Sequence, residues 1–144
     1  MEYKTILLAL ALEPEADIKI IERVKDIAKK YKSTIWLIHS VEHLSSYGAA
    51  YGVAAGIDVD DVLMTEAGQL MNKIALELAV PDERCIVMEG PAKHVILDEA
   101  KKIKADLIIV GSHGRHGVQL LLGSTANSVI HGADCDVLAV RVQD

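Results

Sequence analysis

Two of the unbroken apolar runs in this chain constrain its fold more than any other feature. The first runs from Ile6 to Leu12 and the second from Leu107 to Val110. A strand with one face in water alternates apolar and polar residues, so an unbroken apolar run indicates a strand that is buried on both faces. Such strands are typical of parallel sheets that have helices on both sides.

Segments of helical periodicity alternate with the strands. From Ile18 to Tyr31 apolar residues recur every three or four positions, which predicts an amphipathic helix. The same reasoning predicts further strands at 34–41, 84–88, 106–110 and 136–142, and further helices at 59–79, around 95–103 and at 124–133. Five strands and four helices in this order predict an α/β fold with a doubly wound, mainly parallel five-stranded sheet and helices on both faces. The periodicity leaves the order of the strands open.

Composition and charge limit the classes of function. A length of 144 residues predicts a single domain over 1–144. With 21 acidic against 15 basic residues the net charge is −6, and only 3% of residues are aromatic, so we expect no nucleic-acid partner. The first apolar run is too short to span a membrane, and the two isolated cysteines suit a reducing compartment. We therefore expect a cytoplasmic protein without a membrane partner.

A glycine-rich stretch from Gly111 to Ser124 follows the fourth predicted strand, directly after Val110, and leads into a helix. In open parallel sheets ligands bind outside the carboxyl ends of the strands. Glycines let a backbone approach an anion, and a helix N-terminus binds phosphate through free N–H groups. Ser124 or Thr125 would cap this helix and donate a hydroxyl to a phosphate oxygen. The pattern is not a P-loop, and a purely structural glycine turn remains an equal alternative.

The residues within this stretch do not form a catalytic or metal-binding pattern. His113 and His116 bracket Gly114 and Arg115, but the sequence offers no further cluster of zinc ligands. We expect His113 to form hydrogen bonds in the loop, and Arg115 either to reach a phosphate or to remain solvated. A nucleophile elbow of the Gly-x-Ser-x-Gly type is absent from the sequence. We therefore expect a protein that is not an enzyme, with slow hydrolysis of a bound nucleotide left open.

Several motifs together resemble the universal stress protein family. Its C-terminal signature is similar to the stretch from Gly111 to Gly117, to 121–126 and to 135–141, and the motifs at 4–9, 39–41 and 90–91 follow the family's order. The resemblance covers the whole chain. It implies the doubly wound fold of that family, which is like that of adenine nucleotide alpha hydrolases. It also implies a homodimer formed by antiparallel pairing of the last strands, here Val137–Val142.

One branch of that family binds ATP through the signature Gly-x2-Gly-x9-Gly-Ser/Thr. The resemblance assigns this role first to the residues that match the signature, which are Gly111, Gly114, Gly123 and Ser124. It extends the role to the residues that adjoin them, which are Val110, His113, Arg115 and Thr125. It also implies that Val41 lies near the adenine. Two departures weaken the assignment. Only eight residues separate the second and third glycines, and Ala11 stands where nucleotide-binding members usually have an aspartate. A substitute carboxylate from Glu13 or Asp17 is a hypothesis.

Two functions remain open from the sequence. The first is a stress-response domain that binds ATP or another adenine nucleotide as a homodimer, and the retained glycines favour it. The second is a nucleotide-free dimeric interaction protein, which Ala11 and the shortened spacing favour. We expect the first. The segment 45–56, rich in glycine and alanine, is either a lid over the ligand or an excursion without a role in binding.

Overall fold

The computed structural model describes residues 2–42, 59–112 and 123–142, and it confirms the predicted alternation of strands and helices. The predicted segment 45–56 lies outside these residues. The elements are β1 (Thr5–Ala9), α1 (Pro14–Tyr31), β2 (Thr34–Val41), α2 (Val59–Leu78), a short 3-10 turn (Asp82–Arg84), β3 (Cys85–Glu89), α3 (Ala92–Ile103), β4 (Leu107–Ser112), α4 (Ser124–Gly132) and β5 (Asp136–Arg141).

The five strands form one parallel sheet in the order β3-β2-β1-β4-β5. The central strand is β1, in which Leu7 lies opposite Trp36 of β2 and Ile108 of β4. From β1 the chain builds outward to β3 and then crosses to the other side of β1 to form β4 and β5. The strand order therefore reverses between β1 and β4, and their carboxyl ends form the switch point at which doubly wound sheets bind ligands.

Each face of the sheet has its own apolar core. Leu8 belongs to a cluster with buried residues of α1 and α2, whereas its neighbour Leu7 belongs to a cluster with buried residues of α3 and α4. Both leucines are fully buried. Successive residues of β1 thus enter different cores, which explains why this strand has no polar residue after Thr5.

The first strand is shorter than the apolar run predicted. It ends at Ala9, and residues 10–12 form the turn that leads to Pro14, the first residue of α1. Leu10 and Leu12 are nevertheless buried, so the apolar run continues because of packing and not because of strand structure. Leu12 adopts a left-handed conformation with φ of 59°, which is uncommon for a residue other than glycine.

Side chains tie the strands together at their amino ends, opposite the switch point. The Asp106 carboxylate accepts hydrogen bonds from the N–H groups of Lys4 (3.0 Å) and Thr5 (2.9 Å). The Tyr3 hydroxyl donates to the Asp136 carboxylate at 2.7 Å. The strands β1, β4 and β5 are therefore joined at this end by side-chain hydrogen bonds as well as by the sheet.

Candidate functional site

A cavity of about 360 Å³ lies at the switch point. The ends of β1, β2 and β4 form its floor, and Ala92 of α3 and Thr125 of α4 contribute to its wall. Its volume lies near the lower end of the range for small-molecule sites, roughly 300–1,000 Å³. The fold thus provides a concave site at the position where the topology predicts one.

The turn after β1 forms part of the wall and is held from two sides. His39 of β2 donates its Nδ1 hydrogen to the Leu10 carbonyl, with 2.7 Å between nitrogen and oxygen. Asp17 of α1 accepts the Ala11 N–H at 3.2 Å and also interacts with the N–H of Leu12. A left-handed non-glycine residue costs roughly 1–3 kcal/mol, and these hydrogen bonds help to offset that cost at Leu12.

Asp17 is a buried carboxylate, with only 2% of its surface exposed. Burial raises its pKa, although the N–H groups of Ala11 and Leu12 act in the opposite direction. Its Oδ2 atom has no hydrogen-bond partner among the described residues. Asp17 does not line the switch-point cavity but a separate cleft of about 200 Å³ between α1 and α2.

The hypothesis of a substitute carboxylate from the turn gains no support from this geometry. The Asp17 carboxylate is directed to the backbone of the turn and is outside the cavity wall. Glu13 precedes α1, is exposed, and is also absent from the wall. Ala11 itself lies in the wall, so the cavity has an apolar side chain at the position where the family resemblance implies an acid.

Of the candidate binding residues, Val110, Gly111 and Thr125 line the cavity. The candidate Val41 is buried in the cluster that faces α1 and α2, and it is absent from the wall. Gly123 and Ser124 are described but are absent from the wall, and the other three candidates, His113, Gly114 and Arg115, lie outside the described residues.

The start of α4 differs from the prediction that Ser124 or Thr125 would cap it. The N-cap is Gly123, whose backbone is not helical (φ −56°, ψ 150°), and Ser124 is already the first helical residue. No side chain caps this helix within the described part of the chain, so its first N–H groups are left for another partner. This is the property that makes a helix N-terminus receptive to an anion.

Gly111 has a packing reason to be glycine. A Cβ atom at this position would lie 3.0 Å from Cδ1 of Ile20 and 3.2 Å from Cγ1 of Val142. The end of β4 thus approaches α1 and the segment after β5 more closely than a side chain comfortably allows. Access for a ligand is therefore not the sole explanation for this glycine.

Three polar wall residues were not predicted as binding residues: His39, Ser40 and Glu42. The hydrogen bond of His39 within the described residues is the one at Nδ1. Glu42 accepts the Ala92 N–H at 3.3 Å, so a carboxylate of this chain occupies the N-terminus of α3. The signal for these residues was their position at the carboxyl end of β2 or directly after it, once β2 is placed beside β1.

Other chemistry has little structural basis in the described residues. They contain no group of three or more histidine, cysteine or acidic side chains that could hold a metal ion. None of the described helices is both long enough and apolar enough to cross a membrane. Cys85 and Cys135 are half-buried free thiols, and burial raises the pKa of each.

The fold and the cavity define a class of protein: a parallel, doubly wound α/β domain with a concave site at its switch point. The model of the universal stress protein family matches residues 2–141, and the chain belongs to that family. It is 59% identical over 141 residues to universal stress protein A homolog 2 of Coxiella burnetii (strain RSA 493 / Nine Mile phase I). That match covers 98% of this chain and 97% of the relative.

Solved structures have the same fold. The protein MJ0577, whose structure was used to assign a biochemical function, superimposes with a TM-score of 0.79 at 25% identity, covering 100% of this chain and 99% of the other. A universal stress protein solved in complex with cAMP superimposes with a TM-score of 0.65 at 18% identity. That superposition covers 99% of this chain and 100% of the other. The predicted family and fold class are thus confirmed.

Proposed function

We propose that this universal stress protein binds ATP or another adenine nucleotide in the switch-point cavity and acts as a homodimer in the cytoplasm. The observation that supports it best is a cavity of about 360 Å³ bounded by Thr125, near the start of a helix without a side-chain cap. A free helix N-terminus favours phosphate, and the remaining volume suits a nucleoside. The family member solved with cAMP, itself an adenine nucleotide, agrees with this ligand class.

The polarity of the wall gives the ligand a direction. At α3 the helix N-terminus already interacts with Glu42, whereas the start of α4 has no side-chain partner among the described residues. Described wall residues include no lysine or arginine. The phosphates therefore lie toward α4 in this proposal, and the nucleoside lies toward β2 and α3.

The homodimer would form through β5, an edge of the described sheet. The N–H of Val142 donates inward to the Ser112 carbonyl at 3.3 Å, so backbone alternation directs the N–H of Ala139 outward. An outward N–H is available to a second copy of the strand. Ala139→Pro removes this donor without removing a bond to β4, and Ala139→Ser retains it. We expect light scattering at micromolar concentration to give a dimer for wild type and Ala139→Ser, and a monomer for Ala139→Pro.

The nucleotide acts in this proposal as a signal and not as a substrate to be turned over. The alternative, a nucleotide-free dimer that acts through protein contacts, is favoured by one observation. Ala11 places an apolar group in the wall, and neither Glu13 nor Asp17 replaces the missing carboxylate there. Binding measurements separate the two functions.

Calorimetric titration with ATP, ADP and AMP, with and without Mg²⁺, tests nucleotide binding. We expect saturable binding at micromolar to millimolar ligand. Ala11→Phe adds bulk to the wall and should abolish binding, whereas Leu76→Phe on the exposed face of α2 should leave it unchanged. Absence of heat at millimolar ligand would favour the interaction protein.

A further inference from the structure

We propose that His39 contacts the ligand, and that its Nε2 atom accepts a hydrogen bond from a hydroxyl or amino group of the bound nucleoside. This inference rests on the proposed function and deepens it, because it names the group that reads the uncharged part of the ligand. Three properties of His39 support it: its fixed tautomer, its place in the wall, and the chemistry of its neighbours.

The tautomer follows from the hydrogen bond at the other nitrogen. A carbonyl oxygen only accepts, so the 2.7 Å contact with Leu10 requires that Nδ1 of His39 has the proton. In the neutral ring Nε2 is then an acceptor. The hydrogen bond that His39 makes among the described residues is at Nδ1, and Asp17 is the charged side chain with which His39 interacts. The turn after β1 thus fixes the ring and leaves its acceptor for a partner.

The second support for the inference is the position of His39 in the wall of the cavity. His39 lies in β2 next to the central strand, is half-buried, and lines the cavity. It shares this part of the wall with Ala11, which has no polar side-chain atom. Because the ring edge that includes Nδ1 is held by Leu10, the opposite edge is the one available to a bound molecule.

The neighbouring groups favour a ligand that donates hydrogen bonds. Glu42 is a further acceptor in the wall, engaged at 3.3 Å by the N–H of Ala92. Neither a lysine nor an arginine accompanies them among the described lining residues. Phosphate oxygens accept hydrogen bonds and would be repelled by the Glu42 carboxylate and the Nε2 lone pair of His39. Ribose hydroxyls and an adenine amino group are donors and can pair with both. This part of the wall therefore selects the nucleoside end.

Two substitutions separate the two nitrogen atoms of the ring. In His39→Asn the side-chain amide takes the approximate place of Nδ1, so the bond to Leu10 is retained while the Nε2 acceptor is lost. In His39→Gln the amide reaches the place of Nε2 and the bond to Leu10 is lost. The binding of ATP and of inorganic tripolyphosphate is measured by calorimetry for both variants and for wild type, and thermal unfolding is measured beside it.

We expect His39→Asn to weaken ATP binding by roughly 2- to 12-fold, the effect of one neutral hydrogen bond, with tripolyphosphate binding unchanged. His39→Gln should retain more of the ATP affinity while lowering the unfolding temperature. In wild type, the ¹⁵N resonance of Nε2 should change on addition of ATP and remain unchanged with tripolyphosphate, a readout that does not depend on a variant folding.

The outcomes distinguish this inference from the proposed function. If wild type binds ATP and neither His39→Asn nor the Nε2 resonance responds, His39 does not contact the ligand and the proposed function stands. An equal loss of ATP and tripolyphosphate affinity in His39→Asn assigns His39 a structural role only. If wild type binds no nucleotide, the proposed function fails and this inference fails with it.

Discussion

The carboxylate of Asp17 and the backbone N–H of Ala11 are joined by a hydrogen bond of 3.2 Å across the turn between β1 and α1. One partner is nearly fully buried in the first turns of α1, and the other lines the cavity. The bond therefore connects the packing of a helix to the shape of the candidate site. Its removal should affect stability first, and ligand binding through the position of the turn.

Replacement of Asp17 by alanine should destabilise the protein. The change leaves the N–H of Ala11 without its acceptor, and an unsatisfied buried group of this kind costs about 1–3 kcal/mol. Urea unfolding measures the loss. The exposed Asp26 on the same helix provides the matched control, because Asp26→Ala removes a carboxylate at the surface and should change stability by no more than about 0.5 kcal/mol. Equal effects of the two substitutions would contradict the assigned role.

The stability of the protein should depend on pH through Asp17. Burial raises the pKa of this carboxyl in the folded state, so folding favours its protonated form. This proton-linked part of the stability is therefore fully present below the unfolded pKa of aspartate, about 3.9, and is lost as pH rises through the folded pKa, whereas the hydrogen bond to Ala11 does not require the proton. Asp17→Asn removes the titration while retaining an acceptor oxygen.

The measurement for Asp17→Asn is urea unfolding of variant and wild type across the acid and neutral range. The free energy of unfolding of the variant, minus that of wild type, should increase with pH and then level off above the folded pKa. A difference that is constant across this range, or that decreases, would show that the carboxyl is not destabilised by burial.

Gly90 should tolerate alanine poorly. It connects β3 to α3 with φ of 135°, which side chains rarely allow, and its Cβ atom would lie 3.3 Å from Cγ2 of Val95. We expect Gly90→Ala to lower the free energy of unfolding by about 1–3 kcal/mol. Gly68, inside α2, has no atom within 4 Å of such a Cβ, so Gly68→Ala should instead raise stability by about 0.5–1 kcal/mol. Changes of the same sign in both variants would disprove the conformational argument.

The two thiols should react slowly in the folded protein. Desolvation is the largest cause of the raised pKa of Cys85 and Cys135, and neighbouring acidic side chains add to it. Little of either thiol is then thiolate at neutral pH. Alkylation followed by mass spectrometry should proceed faster in urea than in buffer, and faster in buffer as pH rises. Rapid modification of the folded protein at pH 7 would refute this prediction.

The strands were predictable because burial on two faces leaves a direct mark on the sequence. The same apolar pattern wrongly extended the first strand to Leu10 and Leu12, where the chain stays buried after the strand has ended. Burial determines apolarity, whereas the end of a strand depends on backbone hydrogen bonds that apolarity does not record. The left-handed conformation of Leu12 was not predictable, because the residues that usually adopt it are glycine and asparagine.

The candidate site was predictable on one side of the switch point only. Val110 and Gly111 follow from the rule that ligands bind where parallel strands end. His39 and Glu42 required the strand order, because only the placement of β2 beside β1 brings them to the same cavity. The bond from His39 to Leu10 joins residues 29 positions apart, and local patterns hold no information about such a contact.

The side-chain hydrogen bonds at the amino ends of the strands have a consequence for how the sheet accommodates a ligand. Asp106 anchors the start of β1, and Tyr3 reaches Asp136 at the start of β5. The amino ends of the strands are thus held together by bonds that do not involve the carboxyl ends, where the cavity lies. A ligand that enters the cavity therefore contacts the end of the sheet that these side-chain bonds do not involve.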